Sequence, residues 1–420
     1  MRILILSQYF WPESFRINEV AQSLQGIGCE VSVLTGQPNY PDGAVFKGYR
    51  ALAVGREEFA GCSIYRVPLI PRGRANAIRL AANYLSFVCA ASVIGPWLLR
   101  RKRFDIILVY GISPILQALP GVVLRGTTGA SLVTWVQDLW PQSLEVTGFL
   151  SNRRALAVVA SVVRWIYRHC DLLLVQSEGF IPEVRAMSGK TPVEYHPNPG
   201  SLTHATGIGG IPSLVLGSGF SVVFAGNLGS VQALDTVLAA AAIVRDLPSV
   251  RFVLIGSGSR RDWLNEEIHR IGLTNVEMPG RFAPEAMPAI LAQASALLVS
   301  LARSPTMSQT IPSKIQAYLA AGRPVIASLD GEGARIIEQA AAGLTCPAEE
   351  AQALADAIRK LSTTPAGELE QMGRNGRSFY EQHFEPNALA VRLERRFAQL
   401  VASRQAHRNR TARRTSPTDG

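Results

Sequence analysis

The stretch Gln309–Ser328, QTIPSKIQAYLAAGRPVIAS, holds a cation at the start of a helical run and contains no Asp, Glu or His. Pro312 suits a first helical turn, Ser313 can cap it, and Lys314 adds a mobile positive charge. Unpaired N–H groups at a helix start, together with an ammonium, make a cradle for a pyrophosphate. The blander reading is a plain capped helix, and Tyr318 and Leu319 read as core. Three further loops follow strand-like runs. Gly226-Asn227-Leu228-Gly229 comes after 220–225 and before a helix opening near Gln232, and Gly256-Ser257-Gly258-Ser259 is arranged the same way. Small residues there let a backbone approach a ligand, with the helix dipole favouring an anion. Gly280-Arg281-Phe282 offers a ring and a cation to border a flat group such as a nucleobase.

In the first half, TWVQDLWPQSL places Asp138 just past a strand, between Gln137 and Trp140. A carboxylate with aromatic walls suits a sugar hydroxyl, although helix capping would explain the residue as well. The loop SQYFWPESFRINE offers Glu13, Arg16 and Asn18 at the mouth of the same cleft. Other chemistries find no support. No paired histidines or strand-flanked DxD imply a metal, so no metal or cofactor is expected. No G-x-S-x-G or Cys/His arrangement implies a covalent nucleophile. The dinucleotide fingerprint is missing after the first strand, against a dehydrogenase.

Short apolar runs alternate with helical stretches and must position these residues. RILIL (2–6), EVSVL (30–34), SIYRV (63–67), DIILVY (105–110), SLVTWV (131–136) and DLLLV (171–175) read as strands of the first half. FSVVFAG (220–226), VRFVLIG (250–256), NVEMPG (275–280), ALLVSL (296–301) and PVIAS (324–328) read as strands of the second. Continuous Ile/Leu/Val strands alternating with helices imply parallel sheets covered on both faces. A Gly/Ser/Pro-rich passage from about His196 to Gly219 divides them. The expected division is 1–200 on the acceptor side, 201–385 on the nucleotide side, a helix over 386–402 returning to the first domain, and a disordered basic tail over 403–420. Ligands of doubly wound sheets lie beyond the carboxyl ends of the strands. Two such sheets facing each other would therefore bind in the cleft between them.

At 420 residues, with 47% apolar and 18% charged, the chain can bury two cores. Its five cysteines are scattered without a CxxC pair, which points to a reducing compartment. The net charge of +10 concentrates in Arg50–Arg103, with ten Lys/Arg against two Glu, and in the tail from Ser403, with five Arg against one Asp. Inside the first basic region Leu80–Leu99 carries no charge over twenty residues and ends against Arg100-Arg101-Lys102-Arg103. Its length would permit a span. Its internal Gly95-Pro96 and polar residues favour a helix lying at a membrane interface, with basic flanks meeting anionic lipid, over an ordinary buried helix or a true span. No nucleic-acid partner is expected, and the protein is expected on the inner face of the cytoplasmic membrane.

Together these stretches resemble a known family. The carriers are SQYFWPESFRINEVAQSLQGIGCEVSVLTGQPNYPDG, TWVQDLWPQSL, FAGNLGSVQALDTVLAAA, FVLIGSGSRRDWL, MPGRFAPEAMPAILAQASALLVSL and IPSKIQAYLAAGRPVIAS. The chain is similar, from Met1 to about Ser403, to retaining glycosyltransferases of family 4, and most of all to bacterial enzymes of capsule, O-antigen and colanic-acid-type exopolysaccharide assembly. The resemblance implies the GT-B fold, with two facing Rossmann-like α/β domains. It also implies a nucleotide-diphosphate sugar held by the second domain and a polyprenyl-diphosphate-linked saccharide as acceptor at the first. Retention without an enzymic nucleophile implies front-side displacement, in which the leaving diphosphate helps deprotonate the incoming hydroxyl.

The chain departs from the family where donor binding is concerned. Members carry an Arg and, five residues on, a Lys beside the diphosphate; here these are Asn227 and Gln232. They also carry two Glu separated by seven residues, represented here by Gln309 and Ala317. The implied assignment therefore rests on Lys314 for the diphosphate, with Arg281, Arg303 or Arg323 as helpers and Gln309 on a sugar hydroxyl. Asp138 and Glu13 would orient acceptor or sugar. The competing readings are an inert GT-B scaffold subunit and a nucleotide-sugar epimerase.

Overall fold

The structure, a computed structural model, describes residues 1–73, 77–146, 150, 152–201 and 214–415. Most of the expected linker, 202–213, lies outside the described residues, as do 416–420. The chain divides into two compact units. The first comprises Met1–Gln176, Phe180–Asn198 and the chain from Leu389; the second comprises Ser177–Gly179 and Pro199–Ala388.

The first unit is built on an eight-stranded sheet in the order β3-β4-β2-β1-β5-β6-β7-β8. Its strands are β1 (Arg2–Leu6), β2 (Glu30–Gly36), β3 (Gly55–Phe59), β4 (Cys62–Val67), β5 (Ile106–Gly111), β6 (Ser131–Val136), β7 (Leu172–Val175) and β8 (Val193–Tyr195). All pairs are parallel except β3 with β4. Edge strand β3, GREEF, shows no apolar run because only alternate residues turn inward. Strand order reverses between β1 and β5, which makes their carboxyl ends the place for a ligand.

Side chains from both faces of the central strands are buried, as Ile3, Leu4, Ile5 and Leu6 illustrate. The long apolar helix runs Ala77–Leu99 and is built into one of these faces. Phe87 and Ala91 are fully buried in the same cluster as Leu4, Leu34 and Val109. Asn83 is also fully buried. It accepts from Gln8 Nε2 at 2.8 Å and donates to the Ile70 carbonyl at 2.6 Å. The opposite side of this helix exposes Ile78 (80%), Leu85 (54%), Val93 (76%) and Trp97 (59%). Ile78–Leu99 is long and apolar enough to cross a membrane, yet its Asn83, Phe87 and Ala91 side is built into the core.

The second unit is an all-parallel six-stranded sheet in the order β11-β10-β9-β12-β13-β14. Its strands are β9 (Phe220–Asn227), β10 (Val250–Ser257), β11 (Val276–Gly280), β12 (Ala296–Ser300), β13 (Val325–Ser328) and β14 (Gly343–Cys346). The four-residue β14 is too short to announce itself in sequence. Order reverses between β9 and β12.

The final helix, Pro386–Thr415, does not stop near 402 as expected. Its Ala, Arg and Gln residues are good helix formers, and no Gly or Pro interrupts them before Pro417. Leu393 and Phe397 enter the cluster of Ile3, Ile5 and Ile17. Arg396 forks onto Glu194 at 2.6 and 2.7 Å. The tail charge therefore continues a helix at least to residue 415 rather than forming a disordered segment from 403.

Candidate active site

In the second unit the two glycine loops lie side by side because β9 and β10 pair in parallel, with Gly226 opposite Gly256 and Ser257 opposite Asn227. Both glycines take positive φ, +143° and +146°. A Cβ at Gly256 would sit 1.8 Å from the Gly226 carbonyl oxygen, so only glycine allows the approach. A Cβ at Gly258 would meet the Leu228 carbonyl at 2.4 Å and Asn227 Oδ1 at 2.6 Å. Asn227 is exposed between the loops. Leu228 contributes differently from expectation: its side chain is fully buried in the core. Its N–H donates to Ser257 and its carbonyl accepts from Arg260, both at 2.9 Å.

Lys314 reaches this floor. The Ser313–Ala321 helix is pinned to the end of β9 by Tyr318, whose hydroxyl accepts from the Ala225 N–H at 2.8 Å. Lys314 lies four residues earlier, on the same helical face. Its Nζ donates to Gln232 Oε1 and stands 4.1 Å from the centre of the Phe224 ring. A Cβ at Gly226 would touch its Cε at 2.6 Å. Burial lowers the ammonium to about 7. Near neutral pH the amine is thus balanced between its forms, and a bound dianion would hold it charged.

The start of that helix differs from expectation in one respect. Pro312 is the N-cap and Ser313 the first helical residue, and no side chain caps the helix. A proline has no side-chain acceptor, so the first N–H groups keep their capacity for another acceptor. The helpers fare less well. Arg303 donates to the Ala348 carbonyl at 2.7 Å and lies 3.5 Å from Asp330. Arg323 lines a hollow with Phe220, Ser295 and Pro324, at the amino ends of the strands and hence the wrong end of the sheet. Arg281 is exposed and Phe282 half-buried just past edge strand β11. Gln309 is half-buried at the end of the short Pro305–Ser308 helix, its backbone against Gly179.

In the first unit the carboxyl ends of β5 and β6 carry a chain of hydrogen bonds. Trp140 Nε1 donates to Ser113 Oγ at 3.0 Å, and Ser113 donates to Asp138 Oδ2 from both N–H and Oγ at 2.9 Å. Asp138 is therefore oriented through one oxygen, while Oδ1 has no hydrogen-bond partner among the described residues. Gln137 is buried, and its Oε1 accepts from Asn198 at 2.7 Å while its Nε2 lacks a partner among the described residues. Sequence reasoning missed Ser113 and Asn198; their signal was position after a strand, in GISP and HPNPG.

Glu13 and Asn18 hold their own loop. Glu13 is 2% exposed, and its carboxylate accepts from the N–H groups of Asn39 (2.8 Å), Tyr40 (2.7 Å) and Phe10 (3.2 Å). Asn18 donates to the Glu13 carbonyl at 2.7 Å and accepts from Trp11 N–H at 3.1 Å. This corrects the expectation for Glu13, whose two oxygens are committed to backbone donors rather than offered to a ligand. Arg16 is half-buried where the Arg16–Gly26 helix opens, near enough to Tyr110 for its charge to be felt there.

These two sheets match solved structures along almost their whole length. A trehalose-6-phosphate enzyme from E. coli, solved bound with UDP-2-fluoro glucose, superimposes with a TM-score of 0.68 at 13% identity, covering 96% of this chain and 99% of that one. Anabaena Alr3699/HepE, solved in complex with UDP and glucose, gives 0.62 at 15% identity over 94% and 99%. The fold is that of the GT-B proteins. Residues 14–199 match the glycosyl transferase 4-like domain and residues 219–364 the glycosyl transferases group 1 family. WcaI of Escherichia coli (strain K12), named as a glycosyl transferase of colanic acid biosynthesis, is 25% identical over 339 residues, covering 77% of this chain and 82% of the relative. WbjE of Pseudomonas aeruginosa, named as a glycosyltransferase, is 25% identical over 323 residues, covering 74% and 79%. The chain belongs to the family-4-like GT-B glycosyltransferases and is a hexosyltransferase-type enzyme related to those of exopolysaccharide assembly.

Proposed function

We propose that the protein moves a sugar, with retention, from a nucleoside-diphosphate donor to a lipid-linked saccharide, working on the inner face of the cytoplasmic membrane. The observation that carries the donor half is the meeting of Lys314 with Gln232 and Gly226 beside the paired glycines Gly226 and Gly256. The diphosphate rests against Gly226, Gly256 and the uncapped helix start, and Lys314 neutralises the charge that grows on it as the glycosidic bond breaks. The bond from the anomeric carbon to the phosphate oxygen breaks and one to the acceptor oxygen forms on the same face. The acceptor's proton passes to the departing diphosphate, so no enzymic base is needed. Asp138, oriented by Ser113, positions an acceptor or sugar hydroxyl through its open oxygen. Gln309 serves the donor sugar, and Arg281 with Phe282 border the base.

Thermal melting with UDP and with GDP tests this. A nucleotide present at a hundred times its dissociation constant stabilises the folded state by about 2.7 kcal/mol, so one of the two should raise the melting temperature by several degrees. If neither moves it, the donor site is misassigned.

The membrane half follows from the exposed apolar side of Ala77–Leu99 and the basic Arg100–Arg103 that ends it. The helix lies in the interface plane, its buried side on the core and its exposed side on lipid. The protein should float with vesicles containing phosphatidylglycerol at 0.1 M salt and largely detach at 1 M, where the Debye length falls from about 10 to about 3 Å. Equal flotation with neutral vesicles at both salts would refute electrostatic docking.

A further inference from the structure

The first unit contains a cavity of about 350 Å³ that nothing above explains. It lies between the first turns of Ala77–Leu99, the Ile115–Ala118 turn and the Gln142–Val146 helix, walled by Leu80, Tyr84, Leu85, Leu116, Trp140 and Leu144. Its few polar atoms are already engaged within the protein. Ser143 Oγ donates to Leu139 at 2.6 Å, Ser113 Oγ stands between Asp138 and Trp140, and the Tyr84 hydroxyl is paired with that of Tyr9. A polar ligand would find no vacant partner here, and an apolar one would fill the space without leaving any protein group unpaired.

Two neighbours narrow the occupant. On one side Leu85, itself 54% exposed, joins the cavity to the apolar surface that includes Ile78, the surface proposed to meet lipid. On the other, the cavity ends at Ser113 and Trp140, the two residues that orient Asp138. A cation acts on the Tyr84 wall. The Arg72 guanidinium stands 5.8 Å from the Tyr9 ring and 5.0 Å from the Tyr40 ring, close enough to Tyr84 for its charge to act there. The backbone N–H of Arg72 donates to Asn39 Oδ1 at 3.1 Å, which fixes the chain there. Arg79 adjoins Leu80 in sequence and rests against Gly73. Among the described residues neither arginine has a carboxylate within ion-pair distance. An apolar cavity joined to the surface proposed to meet lipid, with an arginine acting on its Tyr84 wall, a second one residue before its Leu80 wall and a directed carboxylate at its end, complements a lipid whose apolar chain begins at a diphosphate.

We propose that this cavity seats the first isoprene units of a polyprenyl diphosphate, with Arg72, helped by Arg79, on the diphosphate and the attached saccharide directed to Asp138. The proposal rests on the lipid-linked acceptor reading. At about 350 Å³ the cavity takes only the start of a polyprenyl chain; the remainder follows the exposed side of the helix into the bilayer. An isoprenoid suits the broad, partly aromatic walls, and a diphosphate supplies more than the single charge of a phospholipid phosphodiester.

The probes are farnesyl diphosphate, farnesol, inorganic diphosphate and lysophosphatidylglycerol, titrated into the full chain and followed by tryptophan fluorescence. Farnesyl diphosphate should bind at least about tenfold more tightly than any of the other three. Arg72→Ala should lose about tenfold for farnesyl diphosphate and leave farnesol unchanged. Leu85→Asp changes an exposed wall residue without touching the core and should weaken both isoprenoids about tenfold; Ala81→Phe, which fills the cavity, should abolish them. Melting temperatures identify a variant that fails to fold, and Leu85→Asp then decides alone. Lysophosphatidylglycerol binding as tightly as farnesyl diphosphate, or indifference of isoprenoid binding to Leu85→Asp, would overturn the proposal. Transfer to a polyprenyl-linked saccharide separates the two readings. If transfer occurs but ignores Leu85→Asp, the cavity assignment fails while the acceptor reading stands. If farnesyl diphosphate binds as predicted and no lipid-linked acceptor is glycosylated, the reverse holds.

Discussion

Replacing Lys314 with alanine should lower kcat/KM for sugar transfer by about 10²–10³-fold, the range expected when a donor aimed at developing charge is removed. The family resemblance implies two cations where this chain has Asn227 and Gln232, and Lys314 reaches the same floor. Its ammonium already rests on the Gln232 amide, so the neutral residue holds the substitute cation in place. Two of the expected helpers offer no reserve: Arg303 is paired with Asp330 and Glu350, and Arg323 is at the other end of the sheet. The same geometry predicts a rescue. Gln232→Lys added to Lys314→Ala restores an ammonium to this floor and should recover part of the loss. In the otherwise unchanged protein Gln232→Lys should reduce activity, because two ammonium groups then face each other. The pH profile gives a separate check. The free protein's Lys314 titrates near 7, and a diphosphate prefers the charged form. Donor affinity should therefore fall as pH rises above about 7, and the fall should disappear in Lys314→Ala. Activity within threefold of the parent in that variant would remove Lys314 from the site.

Why the glycine floor of the second unit was legible in sequence and the hydrogen-bond chain of the first only partly so is a matter of what holds each together. The floor depends on strand ends, and strand ends show as apolar runs stopped by glycine. Pairing of β9 with β10 then brings Gly226 to Gly256 as the alternation predicts. Lys314 was visible because a helix start after a proline is a local signal. Its pairing with Gln232 was not, since a contact across 82 residues leaves no local trace. Ser113 and Asn198 are of that kind: each matters through one side chain reaching a neighbouring strand end. Secondary structure was lost where burial is one-sided or brief, as in GREEF and GLTC. The last helix shows the opposite failure, in which clustered arginines drew attention away from a composition that favours helix throughout.

Glu13 shows what a residue list cannot settle, and it gives the other large effect. Glu13→Ala should destabilise the first unit by about 3 kcal/mol, because it leaves three buried N–H groups without their acceptor, at about 1–3 kcal/mol for each group before water or relaxation offsets part of the loss. Those donors, on Phe10, Asn39 and Tyr40, join the loop after β1 to the loop after β2. The fully buried side of Ala77–Leu99 adds Asn83 to the same assembly through Gln8 and Asn39. An acceptor-orienting glutamate would behave otherwise: its loss would lower kcat and leave melting unchanged. Protonation separates the cases further. Burial raises the Glu13 carboxyl from the ordinary range to about 7, against the three N–H donors that favour the anion. Its folded pKa lies above its unfolded one, so its contribution is fully present below about 4.5 and is lost as pH rises through about 7. The parent should therefore lose stability relative to Glu13→Gln across that interval, since the amide does not titrate. Glu13→Gln keeps one acceptor oxygen and turns its amide toward a donor, so its melting temperature should lie between those of the parent and Glu13→Ala. A Glu13→Ala protein that melts with the parent and transfers slowly would return this carboxylate to the substrate. One that melts early makes it the clamp that holds two strand-end loops where the acceptor must bind.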